Sequence, residues 1–112
     1  MANKIILTSY FLKKAKRLLK KYHSLGDSLK KLEQTLVANP RTGESYGAGI
    51  YKIRLADPSK GRGKSGGFRV ITYLIEETSD STEVYLITIF DKSEEASIEK
   101  DDIKAILKSE DI

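Results

Sequence analysis

The chain of 112 residues contains no cysteine and no tryptophan, and it has one histidine and two prolines. Without cysteine it has no disulfide framework, no thiol nucleophile and no cysteine-based metal site. With His23 as its one histidine, it cannot use a histidine pair as acid and base. No long apolar run and no signal-peptide pattern occurs. We therefore expect a cytoplasmic protein of one domain, residues 1–112, without a membrane segment, a metal or another cofactor.

The charges that are present divide sharply along the chain. Residues 1–69 contain 16 Lys or Arg and 4 Asp or Glu, whereas residues 70–112 contain 4 and 12. The modest net charge of +4 therefore combines a strongly basic part with an acidic C-terminal third. Such a basic part favours a phosphate-bearing partner, and an acidic remainder limits indiscriminate binding to nucleic acid.

The first half of the sequence has helical periodicity after one short strand. Residues 5–7 predict a strand, and Thr8 and Ser9 can cap a helix over residues 10–23, whose outer face is rich in lysine. Gly26 predicts the end of that helix, and Asp27 predicts the cap of a second helix that ends before Pro40. The two helices form a hairpin. Residues 41–49 contain three glycines and predict a loop.

The second half changes to a period of two residues. Strands are predicted over residues 50–55, 68–75 and 83–90, followed by a helix over about 99–108. The resulting order β-α-α-β-β-β-α predicts an α+β fold, with an antiparallel sheet, the helical hairpin packed on one face, and a C-terminal helix.

A short glycine and lysine motif invites comparison with a nucleotide-binding loop. Gly63, Lys64 and Ser65 match the end of a Walker A motif, but Pro58 stands where that motif needs glycine, and a strand follows where it needs a helix. Residues 60–64 instead predict a flexible basic turn, which either binds phosphate or is a solvated hairpin turn.

Basic residues also project from the predicted strands. Lys52 and Arg54 share one face of a strand, about 7 Å apart, opposite Tyr51, Ile53 and Leu55. Arg69 begins the next strand, so a hairpin would bring the three cations together. Because like charges repel across a sheet, this placement favours an anion-binding site over a solvated surface.

Several of these features occur in one order in a known superfamily. The element order, the stretch YKIRL at residues 51–55, the basic stretch KGRGKSGGFRV and the stretch LITIFDKSE before the last helix together resemble RelE/ParE superfamily toxins of type II toxin–antitoxin systems. Within this superfamily the sequence most resembles the RelE- and HigB-type mRNA interferases. The resemblance implies a RelE-like fold and an endoribonuclease that cleaves mRNA in the ribosomal A site without a metal.

The resemblance also implies partners. A cognate antitoxin would inhibit the toxin, mRNA and the ribosome would be its targets, and DNA would be contacted only indirectly through the antitoxin. A gyrase-inhibiting toxin of the ParE type and a non-catalytic RNA-binding relative remain alternatives.

Site residues follow from the resemblance position by position. It implies catalytic roles for Lys52, Arg54, Arg69 and Lys92, and RNA binding by Lys60, Arg62 and Lys64. The sequence departs from the family at the hydroxyl groups. Phe90 stands where related toxins often carry tyrosine, and the region of the C-terminal tyrosine of RelE offers Ser97, Ile98 and Glu99. The sequence therefore does not identify a general base.

Overall fold

The computed structural model describes residues 3–56, 67–78, 81–92 and 98–112. Within these ranges it forms an α+β fold with one sheet. In chain order the elements are β1 (Lys4–Leu7), α1 (Ser9–Lys21), α2 (Leu25–Ala38), β2 (Glu44–Gly47), β3 (Ile50–Leu55), β4 (Phe68–Thr78), β5 (Ser81–Asp91) and α3 (Lys100–Ser109).

The sheet has the strand order β1-β5-β4-β3-β2, so the two longest strands, β4 and β5, lie next to each other inside it. This arrangement confirms the predicted fold class and differs from the expectation at both edges. The strand β1 pairs parallel with β5, which makes the sheet mixed instead of wholly antiparallel. The additional strand β2 occupies part of the predicted loop and pairs antiparallel with β3 through a bulge at Ser45 and Gly47.

The helical hairpin covers one face of the sheet. Its buried residues Leu18, Leu25 and Leu36 pack against strand residues that include Phe68 and Val70. Thr8 caps α1 as predicted, since its Oγ1 accepts a hydrogen bond from Phe11 N at 3.1 Å.

The start of the second helix differs from the prediction. Gly26 does not end α1, because α2 already begins at Leu25, and Ser24 is its N-cap in place of Asp27. Asp27 lies in the first turn of α2, where a negative charge favours the helix dipole.

The opposite face of the sheet packs against α3. Ile103, Ile106 and Leu107 of this helix form a cluster with strand residues such as Ile71 and Phe90. Successive residues of a strand point to opposite faces, and β4 accordingly sends Val70 to the hairpin and Ile71 to α3. Among the described helices, none combines the length and apolar character needed to cross a membrane.

Candidate functional site: a cationic cavity at one end of the sheet

A cavity of about 340 Å³ opens at the end of the sheet where β3 ends and β4 begins. Of the described residues that line it, four carry positive side chains and one carries a carboxylate. The lining residues are Gly43, Glu44, Lys52, Arg54, Arg69 and Lys92. The fold thus brings together the four residues for which the family resemblance implies catalytic roles, and it adds Gly43 and Glu44 from β2 and its approach, which the sequence did not single out.

The two arginines face each other across adjacent strands. Arg54 of β3 is the direct register partner of Arg69 of β4. Side chains in such positions start from Cβ atoms about 4.5–5.5 Å apart, and directly opposed like charges destabilise a sheet. An anion placed between the two guanidinium groups would remove this repulsion. Lys52 lies two residues before Arg54 on the same face and opposes Ile71.

Arg69 has the most constrained environment of the four cations. It is 5% exposed although it carries a charge. Burial lowers the pKa of its guanidinium, the positive charge of Arg54 lowers it further, and Tyr46 acts in the opposite direction. Its Nη1 donates a hydrogen bond to the carbonyl of Phe68 at 3.3 Å. A buried, positively charged planar group near a second arginine is well suited to binding phosphate oxygens.

Tyr46 of β2 lies beside the cations. The Lys52 Nζ lies 5.3 Å from the centroid of the Tyr46 ring, within the range of a cation–π interaction. The ring is half-buried and packs against the cluster between the sheet and α3. The Tyr46 ring is therefore placed to interact with the Lys52 ammonium, and sequence analysis missed it because residues 41–49 were predicted as a loop.

Glu44 supplies the carboxylate of the cavity. It is the direct register partner of Lys52 across β2 and β3. The preceding Gly43 has φ +104°, and a Cβ built there would lie 2.6 Å from the Lys52 carbonyl oxygen. A residue with a side chain would push β2 away from β3, so glycine allows the close approach that brings Glu44 to the cations.

Lys92 reaches the cavity from the end of β5. Its backbone N donates a hydrogen bond to the carbonyl of Gly67 at 3.3 Å. Gly67 has φ +88°, and a Cβ there would lie 2.8 Å from the Leu55 carbonyl oxygen. Before Lys92, the carboxylate of the fully buried Asp91 accepts a hydrogen bond from the Tyr22 hydroxyl at 2.8 Å. The ends of β3, β4 and β5 therefore lie close together beside the cations.

The predicted RNA-binding residues Lys60, Arg62 and Lys64 lie outside the described residues, as does Ser97. Phe90 is 1% exposed and is the register partner of Arg69, so an apolar ring supports the arginine from β5. Ile98 packs in the cluster between the sheet and α3. Glu99 is exposed and is the N-cap residue of α3. In the part of the chain that the structure describes, no three His, Asp or Glu residues are grouped as metal ligands.

Comparison with known proteins identifies the family. The family model described as the RelE toxin of the RelE/RelB toxin–antitoxin system matches residues 3–111. The chain belongs to the RelE toxin family.

The fold of a solved RelE toxin agrees with this assignment. The Escherichia coli toxin RelE, solved in the free state as a mutant with two arginines replaced by alanine, superposes with a TM-score of 0.60 at 21% sequence identity, with 97% of each chain covered. The family match and the superposition each extend over nearly the whole chain, so both include the strands that line the cationic cavity. The family also implies a cognate antitoxin and action on the ribosome.

Proposed function

We propose that this RelE-family toxin is a ribosome-dependent endoribonuclease that cleaves mRNA in the A site and is inhibited by a cognate antitoxin. The observation that supports the proposal best is the cavity in which Lys52, Arg54, Arg69 and Lys92 converge. Four cations around one space match a phosphodiester better than they match an uncharged or cationic ligand. Because its substrate is mRNA during translation, the proposed reaction takes place in the cytoplasm.

The chemistry of RNA cleavage fits the residues in the cavity. RNA carries its own nucleophile, the 2′-hydroxyl, so the reaction needs neither a nucleophilic side chain nor a metal ion. It needs alignment of the 2′-oxygen with the phosphate, stabilisation of the negative charge that develops on the phosphorane, and transfer of protons. The products are a 2′,3′-cyclic phosphate and a 5′-hydroxyl.

The cations divide these tasks according to their chemistry. Arg54 and Arg69 remain protonated and bind the phosphate oxygens, with charge stabilisation that strengthens as the phosphorane forms. Lys52 is an ammonium that can release a proton, and it protonates the leaving 5′-oxygen. Lys92 adds a fourth charge from the end of β5. Lys60, Arg62 and Lys64 are proposed to hold RNA outside the cavity.

Mapping of mRNA ends after induction tests this function. We expect wild-type protein to arrest growth and to produce new mRNA 5′ ends at fixed positions within codons. A variant with Lys52, Arg54 and Arg69 replaced by alanine should produce neither effect. The matched control replaces three exposed lysines outside the cavity by alanine and removes the same total charge. These are Lys4, Lys30 and Lys104. The control should remain toxic.

The result also separates the proposal from the main alternative within the superfamily. A gyrase inhibitor would trigger the DNA-damage response and leave mRNA ends unchanged. That outcome, or full toxicity of the folded triple variant, would contradict the proposed function.

A further inference from the structure

We propose that the Glu44 carboxylate is the general base of the reaction, the group that takes the proton from the attacking 2′-hydroxyl. The inference rests on the ribonuclease function proposed above and deepens it by assigning the step that the sequence leaves without a residue. It is carried by the position of Glu44 in the wall of the cationic cavity, directly across from Lys52 in the register of β2 and β3.

The strand geometry places the Glu44 side chain on the same sheet face as the cations. Direct partners in an antiparallel pair point to the same face, with Cβ atoms about 4.5–5.5 Å apart. Lys52 and Arg54 are two residues apart on β3 and share that face as well. Glu44 is exposed, so its carboxylate is accessible to a substrate in the cavity.

Elimination among the neighbouring groups leads to the same residue. Lysine and arginine side chains are protonated at neutral pH and are poor proton acceptors. Among the residues that the structure describes beside the cations, the other acidic group is the Tyr46 phenol, and phenols keep their proton at neutral pH whereas carboxylates have lost theirs. Glu44 is the one residue lining this described cavity that carries a carboxylate.

The reaction then balances without another participant. The 2′-hydroxyl proton passes to the Glu44 carboxylate as the 2′-oxygen forms its bond to phosphorus. The bond from phosphorus to the 5′-oxygen breaks, and this oxygen takes a proton from the Lys52 ammonium. Glu44 has gained one proton and Lys52 has lost one, so exchange with water restores both groups after the products leave.

A carboxylate at position 44 is unfavourable for RNA binding. Measuring binding and cleavage separately therefore shows whether Glu44 acts as the base. Its negative charge repels the phosphate that the four cations attract. If Glu44 only reduced the repulsion among the cations, its loss would strengthen RNA binding and leave cleavage intact. If Glu44 accepts the proton, its loss removes cleavage while binding to the ribosome stays the same or becomes tighter.

The test is single-turnover cleavage of mRNA on purified ribosomes, together with measurement of ribosome binding. Glu44→Gln should slow cleavage by at least about 100-fold, the lower range for general acid–base catalysis, without weakening binding. Glu44→Asp keeps the carboxylate and should recover at least about 10-fold of that loss. The matched control is Glu33→Gln, a glutamate of α2 that does not line the cavity. It should cleave at the wild-type rate.

Two outcomes would overturn the assignment. The first is cleavage by Glu44→Gln within about threefold of the wild type. The second is a loss of about 100-fold in Tyr46→Phe while Glu44→Gln stays active, which would make the phenol the proton acceptor. Wild-type protein that binds ribosomes and cleaves no mRNA would instead refute the underlying function, and with it the role of Glu44.

Discussion

The two faces of the central sheet are built from the same strands and have different tasks. On the hairpin face, Phe68, Val70 and Leu86 meet the buried leucines of α1 and α2, and the apolar contacts extend along the strands. On the opposite face, α3 covers Ile71 and Ile87. Beyond this helix the same sheet carries three cations into an open cavity, and these are Lys52, Arg54 and Arg69.

The alternation of side chains along each strand makes this division possible. Phe68 and Arg69 are neighbours on β4, yet one is buried beneath the hairpin and the other lines the cavity. The hairpin face holds the strands in place, so the other face can tolerate the repulsion between Arg54 and Arg69. Stability and activity should therefore respond separately to substitutions on the two faces.

The largest effect on stability is expected on the hairpin face. Phe68→Ala should lower the free energy of unfolding by about 3–5 kcal/mol, because it leaves a cavity in the core and removes the edge-to-face contact with Tyr22, whose ring centroid lies 5.1 Å away. Urea denaturation followed by circular dichroism measures this loss. A change below about 1 kcal/mol would mean that this face does not hold the sheet together.

Substitution of Arg69, the neighbour of Phe68, should reduce activity and leave stability intact. Arg69→Met should reduce mRNA cleavage by at least about 100-fold, equivalent to about 2.7 kcal/mol of transition-state stabilisation. The stability of this variant should be unchanged or higher, because the substitution removes a buried positive charge that repels Arg54 on the adjacent strand. Cleavage assays and thermal melts on the same preparation check both statements. A variant that melts at a much lower temperature would show that Arg69 has a structural role.

A third substitution tests the strand that brings Glu44 and Tyr46 to the site. Gly43→Ala introduces a side chain at φ +104° and only 2.6 Å from the Lys52 carbonyl oxygen. We expect a loss of about 1–3 kcal/mol in stability, together with reduced cleavage because β2 moves away from β3. Thermal melts and cleavage assays measure the two effects.

The matched control for this glycine is Gly26→Ala. Its added Cβ would meet a side-chain atom of Leu19 at 3.7 Å, which is an ordinary contact. Gly26 lies in α2 and does not line the cavity. Equal stability of the two variants would contradict the expectation for Gly43.

The sequence predicts the site best where it depends on local periodicity. Alternation on β3 separates Lys52 and Arg54 from Ile53 and Leu55, and the structure has the same division. The sequence does not predict that Glu44 and Tyr46 lie on a strand, because the glycines around them are typical of a loop. Three of these glycines have positive φ and accommodate a bulged strand instead, namely Gly43, Gly47 and Gly49.

Local sequence patterns also do not reveal which distant elements pack together. The parallel pairing of β1 with β5 joins Ile5 to Val84, residues that are far apart along the chain. The apolar stripe of α3 requires burial but does not specify which sheet face provides it. The hairpin already covers one face, so Ile103 and its neighbours pack on the other.

Replacing the Tyr46 ring, which lies beside the Lys52 ammonium, should have a smaller effect on mRNA cleavage. Tyr46→Leu keeps apolar packing but removes the cation–π interaction, which contributes about 0.5–1 kcal/mol at an accessible site. We expect mRNA cleavage to fall by about two- to fivefold, as that free energy converts to a rate. Tyr46→Phe preserves the aromatic ring and should lie between the leucine variant and the wild type. Indistinguishable rates for leucine and tyrosine would show that Lys52 does not need the ring.

The smallest effect concerns a contact that joins elements from the two faces. After α3, the Glu110 carboxylate accepts hydrogen bonds from Ser9 Oγ at 2.6 Å, Ser9 N at 3.2 Å and Tyr10 N at 3.1 Å, at the start of α1. The hydrogen bond from the Ser9 side chain is the main cause of the lowered pKa of Glu110, and those from the backbone N–H groups add to it. The carboxylate is therefore favoured in the folded state.

This lowered pKa sets the direction of a pH dependence. The stabilisation is complete above the unfolded-state pKa of about 4.3 and is lost as the pH falls through the lower folded-state value. Glu110→Gln should melt at a slightly lower temperature than the wild type at pH 7, and the two should converge in strongly acidic buffer. An equal difference at both pH values would show that the carboxylate charge does not matter. In that case the hydrogen bonds to the side chain of residue 110, and not its charge, would account for the stabilisation.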